Sequence, residues 1–297
     1  MTEIRKIAVL GSGTMGHGIA QVAAQFGKYE VNMHDIEQRL VDKGMAMIRN
    51  SLRNFLAKGQ ITENDTKEIL ARIHETIDLK EAVLDADLII EAVTEKASTK
   101  KALLKKVGKH TSDGTIITTN TSSISITELA SATKHPQKFC GIHFFNPPQI
   151  MKLVEVTRGT ETSLETVQTV TEVAHKMGKE TVLVKKDCPG FIVNRILLPA
   201  LNEAAEMFDE GIADRDDIDK AVKLGLNWPM GPLMLIDYIG ADTTLAIAEI
   251  LERKIGPRFR PSSCLKQMVK ARMLGKKTGK GFYDWTQPRN DKSEKTI

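Results

Sequence analysis

His143, Glu155 and Ser122 are the residues whose types and placement could do proton chemistry. A short apolar run, Lys138 to Ile142, delivers His143 at its C-terminal end. A second run, Thr115 to Thr119, leads into the hydroxyl cluster Asn120-Thr121-Ser122-Ser123. Glu155 sits in the alternating segment Leu153-Val154-Glu155-Val156, which sends a carboxylate in among apolar neighbours. A histidine partnered by a carboxylate near a hydroxyl makes a general acid/base with one fixed tautomer. Each piece also has a plainer reading. Strand-end histidines are commonly structural, serine clusters cap turns, and a strand-edge carboxylate can face solvent. The other histidines (His17, His34, His74, His110, His135, His175) fall in expected helices or loops without comparable partners.

A second constellation opens the chain. The apolar run Ile4 to Leu10 is followed by Gly11-Ser12-Gly13-Thr14-Met15-Gly16, and then by Ile19, Val22, Ala23 and Phe26 at helical spacing. A Gly-x-Gly-x-x-Gly string alone is weak evidence. Placed between a strand and a helix, with Asp35 ending the next strand roughly 20 residues on, it reads as a dinucleotide site. Gly11 allows the tight turn, Gly13 lets the backbone approach a pyrophosphate, and Gly16 permits close helix–strand packing. The helix N-terminus offers free N–H groups and the positive end of its dipole. Asp35 can accept both ribose hydroxyls and would repel a 2′-phosphate, which favours NAD; Arg39, one turn later, leaves NADP open.

Composition sets the outer limits. With 297 residues, 41% hydrophobic and 27% charged, the chain can bury a sizeable core in two domains. A net charge of +4 is far below a nucleic-acid footprint and suits either an anionic small molecule or an ordinary basic surface. Cys140, Cys188 and Cys264 are odd in number and far apart, arguing against a disulfide framework or a zinc site, and no metal is expected. No apolar run approaches membrane-spanning length. With Met1-Thr2-Glu3 leading into a strand, no targeting segment is expected, and the expected compartment is the cytoplasm.

These sites need elements to hold them. Periodicity predicts a helical hairpin over about 36–75, with one helix from Ile36 to Lys58 and another from Thr62 to Ile73, too long for a simple crossover and projecting from the sheet. Asp87 to Val93 reads as a buried parallel strand, ending near Glu95. Lys96 to Lys109 is expected to be a lysine-rich helix with a wet face. Thr115 to Thr119 and Phe139 to His143 complete the parallel strands, and Leu153 to Thr157 and Glu180 to Val184 extend the sheet around a helix over Leu164 to Met177. Beyond Lys186-Asp187-Cys188-Pro189-Gly190 the pattern is helical throughout: Phe191 to Glu210 (interrupted by Pro199), Arg215 to Leu224, Pro232 to Tyr238, Ala241 to Leu251 and Ser262 to Met273. The expected domains are therefore 1–187 and 188–297, ending in a charged tail from Arg289 to Ile297. Neither Cys188 nor the tail suggests a role.

Several further strings occur in order: Gly141-Ile142-His143-Phe144-Phe145-Asn146-Pro147, Lys152-Leu153-Val154-Glu155-Val156, Pro189-Gly190-Phe191-Ile192-Val193-Asn194-Arg195, Met230-Gly231-Pro232 and Gly275-Lys276-Lys277-Thr278-Gly279-Lys280-Gly281-Phe282-Tyr283. With the glycine string and Asn120-Thr121-Ser122-Ser123, the chain resembles the short-chain L-3-hydroxyacyl-CoA dehydrogenases, and among them the free-standing bacterial 3-hydroxybutyryl-CoA dehydrogenases. The resemblance runs from Lys6 to Tyr283. It implies an α/β fold, a Rossmann-type doubly wound sheet with the projecting helical hairpin, followed by an all-α C-terminal domain through which a homodimer forms. It implies catalytic roles for His143, Glu155, Ser122 and Asn194. It also implies NAD contacts at Gly11, Ser12, Gly13, Thr14, Met15, Gly16, Asp35, Glu95, Lys100, Asn146 and Lys277. Coenzyme A contacts would fall on Ser51, Lys58 and Ser122, with an acyl-CoA thioester as substrate.

Two other functions fit the same residues: a sugar-acid dehydrogenase of the L-gulonate type, and a non-catalytic dinucleotide-binding protein. The intact set of His143, Glu155, Ser122 and Asn194 speaks against the second, and Ser51 with Lys58 on a basic hairpin speaks for the thioester. A β-hydroxyacid dehydrogenase with a catalytic lysine is excluded, because Asn194-Arg195 occupies that region.

Overall fold

The computed structural model describes residues 3–286; the charged tail from Arg289 lies outside the described residues. The chain divides at Cys188/Pro189 into two compact units. The first runs β1 (Lys6–Leu10), α1 (Gly16–Gln25), β2 (Glu30–His34), α2 (Gln38–Ala57), α3 (Glu63–Ala71), β3 (Ile73–Thr76), α4 (Leu79–Val83) and β4 (Leu88–Glu91). It continues with α5 (Ala97–Val107), β5 (Ile116–Thr119), α6 (Ile126–Ala130), β6 (Phe139–Phe144), β7 (Leu153–Arg158), α7 (Leu164–Lys176) and β8 (Glu180–Val184). The second holds α8 (Val193–Asp209), α9 (Arg215–Gly225), α10 (Pro232–Ile239), α11 (Ala241–Ile255) and α12 (Ser263–Lys270).

The sheet has eight strands in the order β3-β2-β1-β4-β5-β6-β7-β8. Every pairing is parallel except β6 with β7. Central strands are covered on both faces, which is why Ile7 to Leu10 and Leu88 to Ile90 are continuous apolar runs, all fully buried. The order reverses between β1 and β4, so the crevice beyond their C-terminal ends is where such a sheet takes a ligand. Both constellations found in the sequence belong to this edge.

The hairpin departs from expectation at its far end. Its second helix stops at Ala71, and Ile73–Thr76 pairs with β2 as a strand. The four residues Ile-His-Glu-Thr show no alternation, so periodicity alone misses them. A capping box starts α3, with Thr62 Oγ1 accepting from Asp65 N at 3.1 Å and Asp65 Oδ2 from Thr62 N at 2.8 Å. The first helix, α2, buries Val41, Met45, Ile48 and Leu52 in the cluster that holds Ile19 and Val22 of α1. It crosses the glycine loop closely, since a Cβ on Gly44 would lie 2.8 Å from Ser12 Cβ.

Two buried carboxylates organise the helical unit. Asp219 accepts from Leu233 N (2.7 Å) and Met234 N (3.0 Å) at the start of α10, and from Tyr283 OH (2.7 Å). Asp237 accepts from Phe282 N (2.9 Å), Tyr283 N (2.8 Å) and Trp285 Nε1 (2.8 Å). The late glycine-rich string now has a physical account. A Cβ on Gly275 would meet Asp237 O at 2.3 Å and one on Gly281 would meet Asp237 Oδ1 at 2.0 Å, so only glycine lets the chain wrap this carboxylate.

Candidate active site

The antiparallel turn from β6 to β7 creates the central pair. It places His143 directly opposite Glu155 in the ladder, on one face of the sheet. The distance from His143 Nδ1 to Glu155 Oε2 is 2.8 Å, and the side chains are 8% and 0% exposed. A carboxylate only accepts, so Nδ1 carries the proton and Nε2 is the accepting nitrogen. The ring lies against Phe145, with centroids 4.6 Å apart at 56°.

Ser122 is presented by a turn hung on another carboxylate. Glu95 Oε1 accepts from Ser122 N (2.9 Å), Ser123 N (3.2 Å), Ser123 Oγ (3.1 Å) and Thr121 Oγ1; Ser122 Oγ lies 3.5 Å away. Desolvation pushes the Glu95 pKa up, but the charge of Lys100 and these hydrogen bonds outweigh it and hold the group below its ordinary value. Lys100 is 1% exposed. Its ammonium donates to Glu91 Oε1 (2.7 Å), Glu91 Oε2 (3.0 Å) and Val93 O (3.2 Å), with Glu95 Oε2 at 3.4 Å. Lys100 thus spends its charge inside the protein, between the two carboxylates. Glu91 also accepts from Thr119 Oγ1 at 2.6 Å, and its carbonyl from Asn120 N at 2.8 Å. Asn120 Oδ1 in turn accepts from Phe144 N at 2.9 Å, joining the serine turn to the histidine strand.

The glycine loop has the expected steric logic. Gly11 has φ +101, and a Cβ there would sit 2.7 Å from Ala92 O; one on Gly16 would sit 1.6 Å from Gly11 O. A Cβ on Gly13 would meet nothing within 4 Å, and Gly13 and Thr14 are exposed, so the protein leaves that stretch of backbone open to a ligand. Asp35 Oδ2 accepts from Ser12 N at 2.8 Å. Ser12 Oγ sits 2.9 Å from the same oxygen and 2.8 Å from Leu40 O, giving its single proton to one or the other. These residues fit a dinucleotide, with an open phosphate cradle and a carboxylate at the ribose end. Arg39 faces Glu37 at 3.2 Å.

The remaining candidates are placed as follows. Asn146 is exposed two residues beyond β6; Ser51 is half-buried on α2 and Lys58 exposed at its C-terminus. In the second unit, Asn194 is half-buried in the first turn of α8, and Lys277 is exposed and paired with Asp242. Two readings of the other histidines change. His34 ends β2 and His74 lies within β3, and both His74 (with Glu30) and His135 (with Asp113) have carboxylate partners at 2.9 Å. Unlike His143, His74 is about half in solvent and His135 about a third exposed. Sequence reasoning missed Glu91 altogether and gave Asn120 and Thr121 no role beyond the hydroxyl string; their hydrogen bonds span strands far apart in the chain. Among the described residues no helix is long and apolar enough to cross a membrane, and no cluster of His, Cys, Asp or Glu could hold a metal ion.

Known proteins match along the chain. Residues 6–188 match the family described as "3-hydroxyacyl-CoA dehydrogenase, NAD binding domain", and residues 190–285 match "3-hydroxyacyl-CoA dehydrogenase, C-terminal domain". A probable 3-hydroxybutyryl-CoA dehydrogenase of Deinococcus radiodurans is 48% identical over 94% of this chain and 100% of its own. A 3-hydroxybutyryl-CoA dehydrogenase of Clostridioides difficile is 44% identical over 95% and 100%. The crystal structure of the (S)-3-hydroxybutyryl-CoA dehydrogenase PaaH1 from Ralstonia eutropha superposes with a TM-score of 0.90 at 42% identity, covering 96% of this chain and 100% of that one. The chain belongs to the 3-hydroxyacyl-CoA dehydrogenase family and is an NAD-dependent oxidoreductase built of that family's two domains.

Proposed function

We propose that this dehydrogenase interconverts (S)-3-hydroxyacyl-CoA and 3-oxoacyl-CoA of short chain, 3-hydroxybutyryl-CoA and acetoacetyl-CoA, with His143 as the acid/base. The observation that carries the reading is the buried cross-strand pair, His143 Nδ1 to Glu155 Oε2 at 2.8 Å. With Nδ1 donating to the carboxylate, Nε2 takes the proton of the 3-hydroxyl. NAD, when bound, supplies the acceptor for the hydride leaving C3. Glu155 stabilises the imidazolium as it forms; at an effective dielectric near 20 and a charge separation of ~4–5 Å this is worth about 3–4 kcal/mol. General base help of this kind contributes about 10²–10⁴-fold. Ser122, held by Glu95, and Asn194 hydrogen-bond the substrate oxygen. Gly11 to Gly16, Asp35, Glu95 and Asn146, with Lys100 and Lys277, form the cofactor side. Ser51 and Lys58 lie seven positions apart on α2, about two turns, and take the coenzyme A moiety. The working form is a cytoplasmic homodimer joined through the helical unit, acting in fatty-acid and butanoate metabolism.

The test is loss of NADH absorbance with purified protein and acetoacetyl-CoA, beside NADPH and L-gulonate controls. Fast loss with the thioester and NADH is expected, and His143→Ala should abolish it while leaving the fold intact. A folded His143→Ala variant with near-normal turnover sinks the assignment of the base.

A further inference from the structure

Lys179 is 5% exposed, and among the described residues it has no carboxylate partner. Its Nζ donates instead to Pro148 O at 2.5 Å and Met151 O at 3.0 Å. Lysine is almost never fully buried unless it is paired, because removing an ammonium from water is costly. Here burial pulls its pKa down to about 8. The ionisable groups on the flanking segments, Lys152, His175, Lys176 and Glu180, are all exposed, and the α1 side chain that bonds this loop, Gln21, and its own partner Gln25 are neutral.

The loop it holds runs from Phe145 to Lys152, between the strand of His143 and that of Glu155. Pro147 and Pro148 carry no N–H, and the amides of Ile150 and Met151 are spent on Pro147 O at 3.0 Å each. The loop is therefore short of donors, and Lys179 supplies them from outside. Its own backbone is fixed where α7 ends: Gly178 takes φ +75, and Lys179 N donates to Ala174 O at 3.0 Å. The same loop is packed onto α1. Gln149 Nε2 donates to Gln21 Oε1 at 3.2 Å, and a Cβ on Gly18 would lie 2.8 Å from Gln149 Oε1 and 2.9 Å from Pro148 Cδ. The loop thus ties the histidine strand to the helix that follows the glycine loop, and carries Asn146 between them.

We propose that Lys179 is a positioning residue for the dehydrogenase reaction: by holding the Pro148 and Met151 carbonyls, its ammonium sets the Asn146–Met151 loop against α1 and so sets the affinity for NADH. The inference rests on the reading of Asn146 and the glycine loop as the cofactor side. Deprotonation of Lys179 leaves the amine fewer and weaker donors and loosens the loop, which gives the role a pH signature that mere packing lacks.

The experiment measures NADH affinity by fluorescence, without acyl-CoA, from pH 7 to 9.5 on the full-length wild type, Lys179→Met and Asn146→Ala. Methionine keeps the apolar stem and removes the donors. The wild type is expected to bind NADH progressively more weakly as pH rises through 8. Lys179→Met should bind about tenfold more weakly at pH 7, the scale of lost charged hydrogen bonds, with no pH dependence above it. A folded Lys179→Met with wild-type affinity and profile overturns the proposal. If that variant does not fold, the wild type decides, since affinity independent of pH from 7 to 9.5 overturns it equally. Unchanged affinity in Asn146→Ala beside weakened affinity in Lys179→Met removes Asn146 from the cofactor side and leaves the role of Lys179 standing.

Discussion

Replacing Lys100 by methionine tests how the serine turn is held. Lys100 and Glu91 are 1% and 0% exposed, with Nζ 2.7 Å from Oε1. Their attraction at an effective dielectric near 20 is about 6 kcal/mol, and the desolvation of each ion costs several kcal/mol. The intact pair is therefore worth little net. Breaking it is another matter, because Lys100→Met leaves the Glu91 carboxylate buried with only the Thr119 hydroxyl and Val93 N–H as donors. That should cost about 3–5 kcal/mol, lowering the melting temperature of a unit this size by about 10 °C. The double variant Glu91→Gln/Lys100→Met buries no charge and should recover at least about 2 kcal/mol of the loss. Urea and thermal unfolding followed by circular dichroism give both numbers. A Lys100→Met cost under about 1 kcal/mol, or a double variant no better than the sum of the singles, refutes the reasoning. Kinetics separate the two roles open to Lys100. If it acts through the carboxylates, the double variant regains NADH affinity along with stability; if it touches the cofactor, the affinity stays lost.

Other outcomes follow from the same geometry. Gly16→Ala, whose Cβ would sit 1.6 Å from Gly11 O, should fail to give folded protein, whereas Gly13→Ala, with nothing within 4 Å, should melt like the wild type yet bind NADH at least ~10-fold more weakly; calorimetry and fluorescence check the two halves. Glu155→Gln keeps an acceptor for Nδ1 but removes the charge facing the imidazolium, and kcat should fall about 10²–10³-fold with little change in KM. A kcat within about threefold of wild type contradicts it. For Lys179, the folded pKa of about 8 lies below the ordinary 10.5, so between those pH values the unfolded chain binds the extra proton and the native state gains stability as pH rises. Relative to Lys179→Met, wild-type stability should therefore climb across that window while NADH affinity falls.

Much of the site was legible because its signals are local. The glycine string, the strand-end histidine and the alternating segment around Glu155 are each written within a few consecutive residues, and alternation correctly turned the carboxylate inward. What stayed hidden is carried by partners far apart. The resemblance marked Lys100 as a cofactor contact, but its burial and ion pair stayed hidden, because nothing in Lys96 to Lys109 announces a buried carboxylate nine residues upstream. Strand β3 was invisible because Ile73–Thr76 has neither alternation nor an apolar run, and takes its order from pairing with β2. The Gly275 to Gly281 string was visible as a motif, but its cause, the backbone and carboxylate of Asp237, lies 38 to 44 positions away by numbering.

The charges that hold the site's loops share one physical logic. Glu91, Glu95 and Lys179 lie out of bulk water or at its margin, and each accepts from or donates to backbone in the loops at the C-terminal edge of the sheet. Loops there must stay open to a ligand, so they cannot be held by apolar packing on every side. Charged hydrogen bonds are the stronger directional alternative, at roughly twice the strength of neutral ones. The serine turn hangs on Glu95, the strand ends are tied by Glu91 and Asn120, and the proline-rich loop hangs on Lys179. Substitutions at these residues should change affinity and turnover more than their distance from the reacting atoms suggests, because a displacement of about 1 Å at a catalytic group can cost about 10²-fold in rate.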